Sequence, residues 1–168
     1  MLLEQAPIGR WLAHTGVGRP RVLTVDPGEA HVGLTLWDQR TSDLIECLEL
    51  PNDEAVPFIE HDAMPSLIVL ERWGLYPETA AALTHQEMGT SELIGVVRDL
   101  ARRRAVPVET QDAGVRKVAA VTPRGRAVLA QLRAKRVRSA HAVDSAMHGV
   151  YWFHLNGSGP RLSMKPWR

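Results

Sequence analysis

Three consecutive runs of strand-forming residues between Arg21 and Leu50, followed by a strand, helix, strand succession, limit this chain to a mixed sheet. Arg21 to Val25 alternates and is rich in β-branched residues, Asp26-Pro27-Gly28 reads as a turn, and His31 to Trp37 reads as the returning strand of a hairpin. Asp43 to Leu50 supplies a third strand between the polar Asp38-Gln39-Arg40 and Pro51-Asn52-Asp53, so the opening predicts an antiparallel meander. Asn52 to Asp62 has room for a helix of about one to two turns, ended or kinked by Pro57. Ser66 to Leu70 is a continuous apolar run of the kind buried on both faces of a sheet, and Glu71 caps it.

Thr90 to Arg104 has a helical period, with Leu93, Val97 and Leu100 on one side, Thr90 or Ser91 as N-cap and arginines in its last turn. Val106 to Thr110 then reads as a fifth strand, joined to the fourth by a parallel crossover. Helical pieces follow near Gly114 to Ala120 and Arg124 to Lys135, divided at Thr122-Pro123, and a last helix spans Ala140 to Leu155. The fold class is thus α/β, a five-stranded mixed sheet whose first three strands are antiparallel, flanked by helices. With 168 residues the chain holds one core. We expect an irregular arm over 1–20, one domain over 21–155 and a loose tail over 156–168.

Composition narrows the function. No apolar stretch reaches the roughly 18 residues of a membrane-spanning helix, and the first residues lack a signal-peptide layout, so a cytoplasmic location and no membrane partner are expected. The lone Cys47 has no partner for a disulfide or a zinc site and reads as a buried thiol. A net charge of +1 hides two opposed halves: Thr41 to Glu92 holds eleven acids and one basic residue, whereas Arg98 to Arg138 holds twelve basic residues and three acids. The second is either a backbone-binding surface for a polyanion or a set of solvated helix faces.

Three acids stand where apolar segments end. Asp26 closes the first strand, Glu71 the fourth, and Asp144 lies on the last helix three residues after His141, on the same face. If the first and fourth strands are neighbours, Asp26 and Glu71 emerge side by side, and a docked last helix adds His141 and Asp144. Carboxylates so placed are costly unless compensated, and an oxygen-dominated set favours Mg2+ or Mn2+. Two such ions about 3.5 to 4 Å apart suit phosphodiester hydrolysis. Each residue alone has a plainer reading: Asp26 starting a turn, Glu71 pairing with Arg72, His141 and Asp144 forming a helix-surface pair.

The stretch Val22 to Gly33, Val-Leu-Thr-Val-Asp-Pro-Gly-Glu-Ala-His-Val-Gly, resembles the opening of RuvC-type Holliday-junction resolvases, with the first metal-binding Asp in an Asp-Pro-Gly. Leu67 to Glu71 resembles their second acidic strand, and His141-Ala-Val-Asp144-Ser-Ala their closing acidic helix. The resemblance, from about Arg21 to His154, implies the RNase H-like fold, with Asp26, Glu71 and Asp144 as ligands of two Mg2+ or Mn2+ ions. His141 is then a fourth ligand or an aid to the attacking water. It further implies a homodimer that grips branched DNA, a four-way junction, and nicks opposed strands symmetrically.

Arg116, Lys117, Arg124 and Arg126 fall where the family carries basic residues near the scissile phosphate. Trp73 and Tyr76 flank the position, here Gly74, at which the family places an aromatic residue that enters the junction centre; Trp73 is equally suited to packing a loop on the core. The segment Asn52 to Asp62 is shorter than the corresponding family helix. His31, His85 and His148 read as surface or partly buried histidines rather than ligands, although His148 shares the face of Asp144.

Other readings are a nuclease of the same fold acting on other branched DNA or on an RNA–DNA hybrid, and a non-catalytic DNA-binding dimer, which would gain nothing from carboxylates facing phosphates. Nucleotide-binding folds of the actin and sugar-kinase type also open with Asp-x-Gly on a hairpin, but need two such domains, more than 168 residues supply.

Overall fold

The computed structural model describes residues 20–72 and 88–157. The expected arm lies outside the described residues apart from Pro20, as does the tail beyond Gly157. Strands β1 (Arg21–Pro27), β2 (His31–Asp38) and β3 (Leu44–Pro51) form the antiparallel meander. Strands β4 (Leu67–Arg72) and β5 (Val108–Asp112) add in parallel on the other side of β1, giving a five-stranded sheet in the order β3-β2-β1-β4-β5. The parallel crossover from β4 to β5 is as the sequence predicts, and the condition that the first and fourth strands be neighbours is met.

Strand periodicity sorts the side chains onto two faces. From β1, Leu23 and Val25 enter one core with Leu34 of β2, Ile68 and Leu70 of β4, and Leu93, Val97 and Leu100 of helix α2 (Met88–Arg103). The alternate residues Val22 of β1, Trp37 of β2 and Val69 of β4 enter a second core under α3 (Val115–Val121), α4 (Pro123–Ala134) and α5 (Ala140–Asn156). Both faces are covered, so β1 is buried without a break from Val22 to Asp26. Asp26 and Glu71 have the parity of Val22 and Val69 and therefore belong to the α5 face.

Helix α5 sits directly on β2. A Cβ at Gly33 would collide with the backbone carbonyl of His141, and one at Gly149 with the Trp37 indole, so glycine is what permits the approach at both points. Buried hydroxyls fasten the contact: Thr24 Oγ1 donates to the Ser145 carbonyl at 2.7 Å, the Thr35 and Ser145 hydroxyls meet at 2.6 Å, and Trp37 Nε1 donates to Thr24 Oγ1 at 3.2 Å. Ser145 Oγ and Cys47 Sγ both donate to the Ala142 carbonyl, at 2.9 and 3.2 Å. Caps start the helices as the residues dictate: Ser139 accepts from Ala142 N–H, and Thr122, ahead of Pro123 at the first turn, accepts from Gly125 N–H.

Four local expectations are corrected. The strand does not turn at Asp26-Pro27-Gly28 but runs through Pro27, which pairs with Val32; Pro27 lies beyond the last residue pair with β4, where its missing N–H is tolerated. Helix α1 (Asn52–Pro57) does stop at Pro57 as α-helix, yet the chain continues in a wider π-helical winding over Phe58–Ala63. A proline without an N–H breaks the ladder but has a helical φ, so the winding changes rather than ends. Thr90 and Ser91 lie within α2, which already includes Met88, and are not its caps. Strand β5 starts at Val108 rather than Val106 because the Ala105–Pro107 stretch is still turning out of the helix, with Ala105 at φ 53°. Among the described residues no helix is long and apolar enough to cross a membrane.

Two glycine substitutions separate the effects. Gly33→Ala should destabilise the protein by at least about 1–3 kcal/mol through overpacking, whereas Gly95→Ala on α2, where a Cβ meets nothing within 4 Å, should stabilise it by about 0.5–1 kcal/mol. Urea denaturation measures both, and equal signs would contradict the α5–β2 contact.

Candidate functional site

The β1–β4 ladder pairs Val25 with Leu70, so Asp26 and Glu71 follow one residue later at adjacent strand ends, facing α5. Their carboxyl groups are close enough for each to act on the other's ionisation. Asp26 is 5% exposed, and its Oδ2 lies 2.8 Å from Nδ1 of His141, in the first turn of α5. His141 reaches it because Gly33, the β2 partner of Asp26, lets the start of α5 lie against the sheet.

Glu71 is held from the other side. His148, two turns along α5 from His141 and fully buried, places Nε2 at 2.6 Å from Glu71 Oε2 and Nδ1 at 2.8 Å from Gln111 Oε1 on β5. Asp144, between the two histidines on the helix, is paired with the guanidinium of Arg116 from α3. The same guanidinium acts electrostatically on Glu71. Residues from β1, β4, β5, α3 and α5 thus meet at one edge of the sheet.

The charges are unequal. Burial, then the Glu71 charge, push the Asp26 carboxyl up to about 7 against the opposing pull of His141. Burial works against ionised Glu71 as well, but hydrogen bonds from His148 and Asp26 and the charges of His148 and Arg116 outweigh it and hold Glu71 below the ordinary carboxylate range. Of the two, Asp26 is the acid driven to hold a proton. Among the described residues no three His, Cys, Asp or Glu side chains already stand as a ligand set. The negative charge is met by that proton, by His148 and by Arg116.

Of the residues singled out in the sequence, Asp26, Glu71, His141, Asp144 and Arg116 come together. Lys117 on α3 and Arg126 on α4 are exposed. Arg124 is committed elsewhere: it donates to the Ser42 carbonyl and lies 5.0 Å over the Phe153 ring, with burial lowering its pKa. Trp73, Tyr76 and His85 lie outside the described residues. Glu71 does not pair with Arg72, which points to the opposite face and meets Asp112 at 3.5 Å. His148 is the main correction. The sequence suggested a surface or partly buried histidine, and it is instead the buried contact of Glu71; its position four residues after Asp144 was the available signal.

The chain superimposes on Thermus thermophilus RuvC in complex with a Holliday junction substrate with a TM-score of 0.60 at 15% identity, covering 84% of this chain and 99% of that one. Its fold is that of the RuvC-type resolvases. The yeast mitochondrial Holliday junction resolvase gives 0.56 at 14% identity over 85% of this chain and 81% of the other. The fowlpox virus Holliday junction resolvase gives 0.55 at 12% identity over 80% and 98%. No protein-family model and no curated protein matches the sequence. At these identities the likeness is one of fold.

The raised Asp26 pKa has a thermodynamic sign. Folding lifts it from 3.8 to about 7, so the folded state keeps a proton the unfolded state has lost, and metal-free stability falls as pH rises across that interval. Glu71, lowered on folding, acts only on the acid side, where its contribution is lost as pH falls below its unfolded value of 4.5. Asp26→Asn, with no proton to lose, should flatten the pH dependence between these limits and raise stability at pH 8 by about 1–3 kcal/mol. Thermal unfolding in chelator tests this, and a wild-type protein that gains stability from pH 5 to 8 would contradict the buried acid pair.

Proposed function

We propose that the chain is a divalent-metal-dependent endonuclease that resolves four-way DNA junctions by paired symmetric nicks, acting as a homodimer in the cytoplasm. The observation that carries this reading is the convergence of two carboxyl groups, Asp26 and Glu71, at adjacent ends of β1 and β4, with His141 and Asp144 of α5 beside them. The RuvC-type fold supports it, since the Thermus thermophilus protein of that fold has been seen in complex with a Holliday junction.

The residues fit Mg2+ or Mn2+. Two acids close together, one forced to keep a proton by burial and its neighbour's charge, form a pair that a divalent cation relieves. Asp26, Glu71 and Asp144 would hold two ions, with His141 as a fourth donor. When bound, such ions supply an activated water and stabilise the departing oxygen.

The chain's own side chains have the remaining tasks. Asp26 releases its proton to solvent on becoming a ligand, and His141, whose Nδ1 faces Asp26, would be either the fourth donor or, free of an ion, a proton acceptor beside the attacking water. Arg116 exchanges Asp144 for a phosphate oxygen, which keeps its charge compensated as the substrate enters. Lys117 and Arg126 contact phosphates further along the arms, and Trp73 or Tyr76 stacks on an unpaired base near the branch. Arg124, tied to Ser42 and Phe153, supports α4 and leaves phosphate binding to its exposed neighbours.

Incubation with labelled four-way junction, other branched DNA and RNA–DNA hybrid in Mg2+ or Mn2+ tests the assignment. The junction should be nicked at opposed positions, and Asp26→Asn or Asp144→Asn should lower the rate at least about a hundredfold. Preference for hybrid would replace the resolvase with another nuclease of this fold, and full activity of Asp26→Asn would remove the site. Lys117→Ala and Arg126→Ala should each weaken junction binding regardless of sequence and reduce its salt slope by about 1 in a log–log plot.

A further inference from the structure

The inward-facing residues of β5 hold α5 at two levels. Glu109 Oε2 accepts from Trp152 Nε1 at 2.9 Å, and Gln111 Oε1 lies 2.8 Å from His148 Nδ1. The fit is geometric: two residues along a strand advance about 6.6 Å and four along a helix about 6 Å, so 109 and 111 are in step with 152 and 148. The two ties differ in what lies beyond them. Trp152 continues into Phe153 and the apolar core, with ring centroids 4.9 Å apart, whereas His148 continues into Glu71 at 2.6 Å.

Ionised Glu71 can only accept, so His148 Nε2 must carry the hydrogen between them. The ring can satisfy this while rotating, unless its other nitrogen is fixed. Gln111 fixes it, and an amide serves either ring state, since it accepts through its oxygen and donates through its nitrogen. One Glu71 oxygen is thereby committed to His148, and the carboxylate is held with its remaining capacity toward Asp26. Full burial of His148 excludes water that would compete for either nitrogen.

We infer that Gln111, His148 and Glu71 form a positioning relay, in which a β5 amide locks a buried α5 imidazole that aims the Glu71 carboxylate into the divalent-cation site. His148 and Gln111 are positioning residues and touch no substrate. The inference rests on the proposed metal site and assigns a role to two side chains outside its ligand set. Groups behind a ligand that fix its orientation govern metal affinity, and losing one costs about 10- to 100-fold.

Mn2+ binding to the full-length, DNA-free protein at neutral pH, followed through the free-ion electron paramagnetic resonance signal, tests this independently of cleavage. His148 is fully buried and its replacement can unfold the protein, so the test variant is Gln111→Met at the half-buried strand end. Gln111→Met should weaken Mn2+ binding about 10-fold with little change in melting temperature. Trp152→Phe, which removes the companion tie to Glu109, should lower the melting temperature and leave Mn2+ affinity unchanged. Wild-type affinity in Gln111→Met, or parallel losses in Gln111→Met and Trp152→Phe that follow their melting temperatures, would overturn the relay alone. Failure of the wild-type protein to bind Mn2+ would overturn the metal site and the relay together.

Discussion

The architecture depends on one close approach, the backbone of α5 resting on β2 at Gly33. Helices usually pack on sheets through side chains from both layers, and here one layer has been removed at the point of contact. The result is translational: His141 arrives over the strand end because Gly33 is the cross-strand partner of Asp26. Thr24, Thr35, Ser145 and Trp37 then fix the helix by hydrogen bonds in the buried interior, where a misplaced hydroxyl would be left unsatisfied at about 1–3 kcal/mol. A loosely oriented α5 would forfeit these bonds, so the placement of His141, Asp144 and His148 is specified by the core and not by the site.

That specification lets the sheet edge tolerate its charge. Carboxyls drawn together out of solvent are unfavourable in any fold, and the protein meets each of these three with a different group: a proton for Asp26, a buried imidazole for Glu71 and a guanidinium for Asp144. The division is asymmetric. Asp26 takes most of the penalty, while Glu71 is surrounded by donors and stays ionised.

Much of this was legible in one dimension. The period-two runs of β1 and β2, the unbroken apolar run of β4 and the helical pattern of Leu93, Val97 and Leu100 each report burial directly, and their order allowed few sheets. Asp26, Glu71 and Asp144 were legible because an acid at the end of an apolar segment contradicts its surroundings. His148 and Gln111 were not, since a polar residue on a helix or at a strand end is ordinary until its neighbour is known. Arg124 looked like its basic neighbours and differs only because Ser42 and Phe153 lie within its reach. The turn at Asp26-Pro27-Gly28 misled for a related reason: local turn chemistry was sound, but tertiary pairing carried the strand through Pro27.

Cys47, the only cysteine in the sequence, is pushed up to about 11 by burial, and its sulfur is engaged by Thr35 and the Ala142 carbonyl. At neutral pH roughly one such thiol in ten thousand is thiolate, and the side chain is largely buried. A cysteine introduced anywhere on the surface would therefore be the sole group to take up a maleimide dye, which allows site-specific fluorescent labelling without first altering the native background.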